Sequence, residues 1–171
     1  MKEEFKVTSD IMATSGQRLA NLFLDRIFFY IFTLMFGAVL GAVSVLFDNA
    51  GIVGFLDNNV LDILSSMILS FLMFFILESL NQKSIAKYIS KTIVVMENGD
   101  KPDANTIALR TICRIIPFDA FSYLGTPTRG WHDTLSKTYV VDEDKFNNKK
   151  ILFGDFQDLG KSEDEINFLE N

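Results

Sequence analysis

Cysteine and histidine are nearly absent, with one of each, Cys113 and His132, among 171 residues. A single cysteine excludes an internal disulfide, and one cysteine with one histidine cannot build a zinc site from nitrogen and sulfur ligands. Basic character is also scarce. The 16 Lys and Arg face 22 Asp and Glu, for a net charge of −6, so no basic stripe is available for nucleic-acid phosphates. No G-x-S-x-G, phosphate loop or metal motif occurs. Ser136, His132 and Asp133 are too close in sequence to be read as a catalytic triad. Neither a cofactor nor an enzymatic activity is expected.

What the chain does have is apolar content, 49% of residues with 17 Phe, and it is concentrated in two places. Residues 27–47 carry no formal charge; as a helix they would measure roughly 31 Å, the thickness of a bilayer core. Residues 63–77 form a second uncharged run, which reaches spanning length when extended to about 60–80. A chain of this size cannot easily bury two all-round apolar helices in a soluble core, so two membrane spans are expected. The segment before the first carries Glu3, Glu4 and Asp10 against Lys2 and Lys6, and the apolar run exceeds the h-region of a signal peptide. A retained anchor fits better. Lys and Arg flank the hairpin outside both spans, while residues 48–62 contain three Asp and no Lys or Arg. The positive-inside rule then puts both termini in the cytoplasm.

A third apolar segment, 106–124, contains Arg110, Arg114, Pro117 and Asp119. Arginines near mid-span are costly, so a helix over about 104–116, capped by Asp103 and stopped at Pro117, is expected to lie in the cytoplasmic interface. A second such helix is expected over about 83–90. Lys83, Lys87, Lys91, Arg110 and Arg114 would then meet anionic headgroups, with Trp131, Phe118, Phe121 and Tyr123 as an interface belt. Lys91-Thr92-Ile93-Val94-Val95 is echoed by Lys137-Thr138-Tyr139-Val140-Val141. Both strings are strand-like; two paired strands and a coincidence of short strings both remain open here. Residues 142–171 hold nine acids against four Lys and read as a partly disordered acidic tail, with Ser162 and Glu165 able to cap one short helix.

Ser15-Gly16-Gln17-Arg18-Leu19-Ala20, Asp25 in the first span and Gly130-Trp131-His132-Asp133 before Val140-Val141 together resemble the RDD family of small membrane proteins, named for one arginine and two aspartates. Arg18, Asp25 and Asp133 match those three residues. Gln82 and Ala86 stand where the family often has glycine. The resemblance spans about Ser15 to Asp142 and implies a bacterial inner-membrane protein, for which transport of ions or solutes has been suggested.

The expected fold is therefore an α-helical membrane protein: a two-span antiparallel transmembrane hairpin with cytoplasmic interfacial amphipathic helices and, if the echo is real, a short two-stranded ribbon. Residues 1–14 form a polar N-terminal segment, 15–141 the RDD-like domain with spans over about 20–47 and 60–80, and 142–171 the tail. Arg18 and Asp25 lie two helical turns apart on one face with Asn21 between them, and Arg26 and Glu78 fall at similar depth. These four are expected either as an ion-pair network fixing the helices or as a cation or proton site; the first is favoured, and Arg18 with Asp25 are expected to be coupled. Asp133 is expected to dock under the hairpin onto an arginine or backbone amides. Gly37 and Gly41 with Ser66 and Ser70 offer small-residue helix packing, within the hairpin or in a homodimer. Partners are the lipid bilayer and a homo-oligomer or larger membrane complex. Function divides between a non-catalytic membrane adaptor or accessory subunit and a component of an ion or solute transporter.

Overall fold

A computed structural model describes residues 4–54, 58–114, 122 and 128–169, the last ten by backbone alone. Pro117, Phe118, Phe121 and Tyr123, and the side chains of Ser162 and Glu165, lie outside the described residues.

The chain is mostly helical. Helix α1 (Ser15–Leu46) starts at Thr14, whose side chain accepts the Gln17 amide while the Gln17 side chain accepts the Thr14 amide. This reciprocal pair is a capping box. A short turn, α2 (Gly51–Gly54), leads to α3 (Asn59–Asn81), capped by the Asn58 side chain. Both long helices are long and apolar enough to cross a membrane, and only 6% and 0% of their most apolar windows are buried. Core helices of a soluble protein would hide these side chains; here Phe23, Tyr30, Met35, Val39, Leu64, Ile68 and Leu72 all face outward. Gly37 and Gly41 have nothing within 4 Å of where a Cβ would stand, so the expected close packing at these glycines within the hairpin does not form.

A small body sits at the end of α3. Helix α4 (Ile85–Ile89) leads into β1 (Thr92–Met96); α5 (Ala104–Cys113) is capped by Asp103 through the Thr106 amide; α6 (Trp131–Leu135) leads into β2 (Thr138–Asp142). The strands pair antiparallel with Val94 opposite Val140. The echoed strings are therefore neighbours in space, and the likeness runs further than five residues. Each strand follows a five-residue helix and a lysine in the left-handed region, Lys91 (φ 50°) and Lys137 (φ 54°), and the two strands share one burial pattern. Ser90 bonds Thr92 as Ser136 bonds Thr138. Equivalent residues are 46 apart, so the directly opposed Val94 and Val140 lie on a local two-fold axis relating the two helix–strand units.

Gln82 ends α3 with φ 59°. A left-handed conformation costs a non-glycine residue about 1 kcal/mol. The cost is offset by two bonds: the Gln82 carbonyl accepts the Val94 amide at 3.0 Å and its side chain donates to the Val94 carbonyl at 2.9 Å.

Two expectations are corrected. Residues 4–14 are not a separate polar segment: Met12 bridges Val141, the Ala13 amide bonds the Val140 carbonyl and the Val7 amide bonds Glu97. Phe5, Val7, Ile11 and Ala13 pack on Val95, Val141 and Phe146 or beside Val94 and Val140, with one 3-10 turn at Ser9–Ile11 between them. Nor is the acidic tail irregular. Residues Glu143–Leu169 form one helix, α7. Phe146 and Phe153, seven residues apart on one face, meet Phe5 edge-on at 5.7 and 5.6 Å. Averaged composition hid this seam because the partner ring comes from the opposite end of the chain.

Gly99 makes the fold's closest approach to Phe5. Its φ is 78°, and an added Cβ would lie 2.7 Å from the Phe5 ring. Gly99→Ala should cost roughly 1–3 kcal/mol, read as a lower thermal midpoint and as new protease cleavage within residues 4–14; an unchanged midpoint would contradict this packing.

Candidate functional site: a buried ion network at the base of the spans

The site is assembled from α1, α3, α4, α5, α6 and β2. On α1, Thr14, Gln17, Arg18, Asn21 and Asp25 recur every three or four residues and share a face. Gln17 donates to Asp142 at 3.0 Å, Asn21 donates to Thr92 at 3.0 Å, and Arg18 reaches Asp133 and the Thr128 carbonyl. Asp25 accepts the Ser84 hydroxyl at 2.7 Å and the Ala86 amide at 3.1 Å. It supplies to α4, from another helix, the capping that α4 lacks from its own side chain.

Glu78, one turn before the end of α3, is fully buried and meets three cations: Lys87, Arg110 at 3.0 Å and Arg114. Arg114 also lies over the Phe74 ring, 4.6 Å from its centre. Arg110 is the central residue. Its Nε donates to Glu78, while Nη1 donates to Asp133 and, at 2.8 Å, to the Thr138 hydroxyl. Asp133 accepts from Arg110 on one oxygen and from Arg18 and the Gly130 amide on the other. His132 Nε2 lies 3.3 Å from the same carboxylate.

Burial by itself would raise the Asp133 pKa; the charges of Arg110 and Arg18 outweigh it and hold the carboxyl well below its usual 3.8. Burial pushes Lys87 down to about 8, with Glu78 opposing the fall.

The expected cluster of Arg18, Asp25, Arg26 and Glu78 is thus divided. Arg18 joins Asp133, Asp25 caps α4, Glu78 collects Lys87, Arg110 and Arg114, and Arg26 is exposed. Asp133 is bonded to an arginine, within a helix rather than a loop. The headgroup role expected of Lys87, Arg110 and Arg114 is also corrected: Lys87 and Arg110 are buried and Arg114 binds Glu78. Lys83 pairs with Glu143, and Lys91, 69% exposed, stands 3.5 Å from Asp144. The reason is electrostatic: buried Glu78 and Asp133 need counter-charges more than the lipid surface does. Ser66 and Ser70 are half-buried on α3, away from these bonds. Among the described residues, no group of three or more His, Cys, Asp or Glu could hold a metal ion.

The side chains that sequence reasoning missed are Thr92, Thr128 and Thr138, which carry no charge; Ser84 fits the family resemblance after the second helix, but not as the donor to Asp25. Their signal was faint: Thr92 and Thr138 occupy equivalent places in the echoed strings.

The arrangement predicts coupling between Arg18 and Asp133. Either alanine substitution leaves a buried charge unmatched and should cost about 3–5 kcal/mol, and the double substitution should cost less than the sum; additive effects in a detergent-unfolding cycle would contradict the pairing. Because the native Asp133 pKa is depressed, its contribution is complete above the unfolded-state value near 3.8 and is lost as pH falls toward the lower native value. Asp133→Asn should therefore remove part of the acid-dependent loss of thermal stability, measured from pH 7 downward.

No curated protein and no solved structure matches the chain. The sequence model of the RDD family matches residues 12–143, a stretch that runs from the bridge at Met12 to the end of β2 and takes in every residue of the ion network. With that match over most of its length, and with two apolar helices consistent with a membrane protein, this chain belongs to the RDD family.

Proposed function

We propose that the protein is a two-span component of a bacterial inner membrane, with both termini in the cytoplasm, that acts as a non-catalytic adaptor or accessory subunit. The small body beneath the spans presents a fixed cytoplasmic surface to a larger membrane complex or to a second copy. One observation carries this reading over ion transport. The carboxylates of Asp25, Glu78 and Asp133 already accept bonds from protein donors, Asp25 from Ser84 and Ala86, and the other two from Lys and Arg. A transported cation would have to displace permanent guanidinium charges, which cannot lose their protons. Two helices are also too few to enclose a path.

Two measurements test the proposal. In a Cys113→Ser background, Asn49→Cys should react with an impermeant maleimide from outside intact cells and Asn148→Cys only after permeabilisation; outside labelling of Asn148→Cys would defeat the topology. Purified protein in liposomes should give no sodium, potassium or proton flux above empty liposomes. Flux that Asp25→Asn abolishes would replace the adaptor reading with a transport component.

A further inference from the structure

Seven of the basic residues at or below the base of the spans are Arg18, Arg26, Lys83, Lys87, Lys91, Arg110 and Arg114; Lys101 there donates to the Leu80 carbonyl instead. Six have acidic partners. Arg26 makes no ion pair or hydrogen bond among the described residues, and it is exposed. Its depth follows from its neighbour. Asp25 bonds Ser84 and Ala86, which come just after α3 ends at Asn81, so Arg26 stands level with the cytoplasmic end of the second span. From Ile27 onward α1 is uncharged to Phe47.

Arg26 also borders a shallow surface depression on α1 lined by Ile27, Phe29, Tyr30, Ile31 and Thr33. Ile27 and Tyr30 are 54% and 65% exposed, and Thr33 satisfies its hydroxyl on the α1 backbone, donating to the Tyr30 carbonyl at 2.8 Å. The patch therefore presents one free cation below and apolar surface above, with a phenol one turn beyond the cation. That order of chemistry matches a phospholipid of the inner leaflet: phosphate below, ester region, then acyl chain. A guanidinium is well suited to the phosphate, since two N–H groups can bond two of its oxygens, and an arginine at this depth reaches the headgroup level by extending its stem.

We propose that Arg26 is a binding site for the phosphate of an anionic phospholipid in the cytoplasmic leaflet, whose acyl chain lies along Ile27, Tyr30 and Thr33. The site replaces Lys87, Arg110 and Arg114, which sequence alone assigned to headgroups, because the fold uses those cations internally. It rests on the two-span reading.

The test uses the full-length protein purified in a mild detergent and titrated with phosphatidylglycerol or phosphatidylcholine, with bound lipid counted by native mass spectrometry. The wild-type protein should bind phosphatidylglycerol in preference to phosphatidylcholine. Arg26→Gln should weaken phosphatidylglycerol binding about fivefold, the worth of one basic residue at an anionic surface, and should fold normally, as judged by circular dichroism, because Arg26 supports no internal bond. Arg26→Lys should retain most of the preference. Lys91→Gln, whose cation already faces Asp144, should change nothing. Equal binding by wild type and Arg26→Gln overturns the site. Displacement of the lipid by millimolar inorganic phosphate would show a free-anion site and overturns the lipid assignment. Failure of the two-span reading shows separately, as a protein that stays in solution without detergent.

Discussion

Arg110 is wholly buried and carries a charge that no accessible pH removes. That one constraint organises the molecule. A buried guanidinium must be matched by carboxylates, and the two it holds come from distant parts of the chain: Glu78 at the foot of the second span and Asp133 in α6. The free oxygen of Asp133 then draws in Arg18 from the first span, and Thr138 ties the same guanidinium to the sheet. Both spans, α5, α6 and β2 thus share one connected set of bonds. An apolar core of the same shape could be equally stable. What charge adds is selectivity: a shift of α3 or α6 by one turn would leave an ion buried without a partner.

The network holds four cations, Arg18, Lys87, Arg110 and Arg114, against three anions, Asp25, Glu78 and Asp133. One positive charge is in surplus, and three of the four cations are arginines that cannot release it. The burden falls on Lys87, which is 3% exposed and pushed down to about 8. Burial is the larger cause, and the neighbouring arginines add to it. Lys87 is therefore the member that brings the cluster to neutrality when the surroundings turn alkaline. Asp133, at the equivalent place in the second helix–strand unit, stays ionised. Two units of nearly one backbone shape thus carry opposite charges at the same position, and each finds its counter-charge on a long helix or on α5.

Much of the architecture was legible because it rests on local patterns. The uncharged runs gave the two apolar helices, Asp103 gave the start of α5, and the Lys-Thr-x-Val-Val echo gave the strands. The docking of residues 4–14 was not legible: Phe5, Val7, Ile11 and Ala13 lie among charged and hydroxyl residues, and the surfaces they pack on come from β1, β2 and α7. Arg18, Asp25 and Asp133 stood out by resemblance, and an arginine was expected for Asp133, yet the partners of Arg18 and Asp25 were not legible. Arg18 and Asp133 are 115 residues apart and Glu78 and Arg110 are 32 apart, and no local period encodes such pairs. Lys87 looked like one of three lysines turned toward anionic headgroups; only the carboxylate of Glu78, brought over it by the turn at Gln82, made it a core residue. Likewise Asp25 read as an intramembrane acid because α4, whose amide it caps, is too short to announce a need for capping.

These bonds are all at one end of the hairpin. The main contacts of α1 are with α4 and α2, and those of α3 are with α5, while Gly37 and Gly41 face open space. The placement of the two long helices is therefore set from one end, through Asp25 on α4 and through Glu78 on α5, more than by contact along their length. Helix α1 makes this possible by being continuous: its first three turns are bonded to the sheet and its remainder is apolar, with no break at Arg26. A force that tilts the outer half of α1 is carried directly to Asn21 and Arg18, and so to β1 and Asp133. The apolar faces above the clamp are left open, while the body below is held by the ion network.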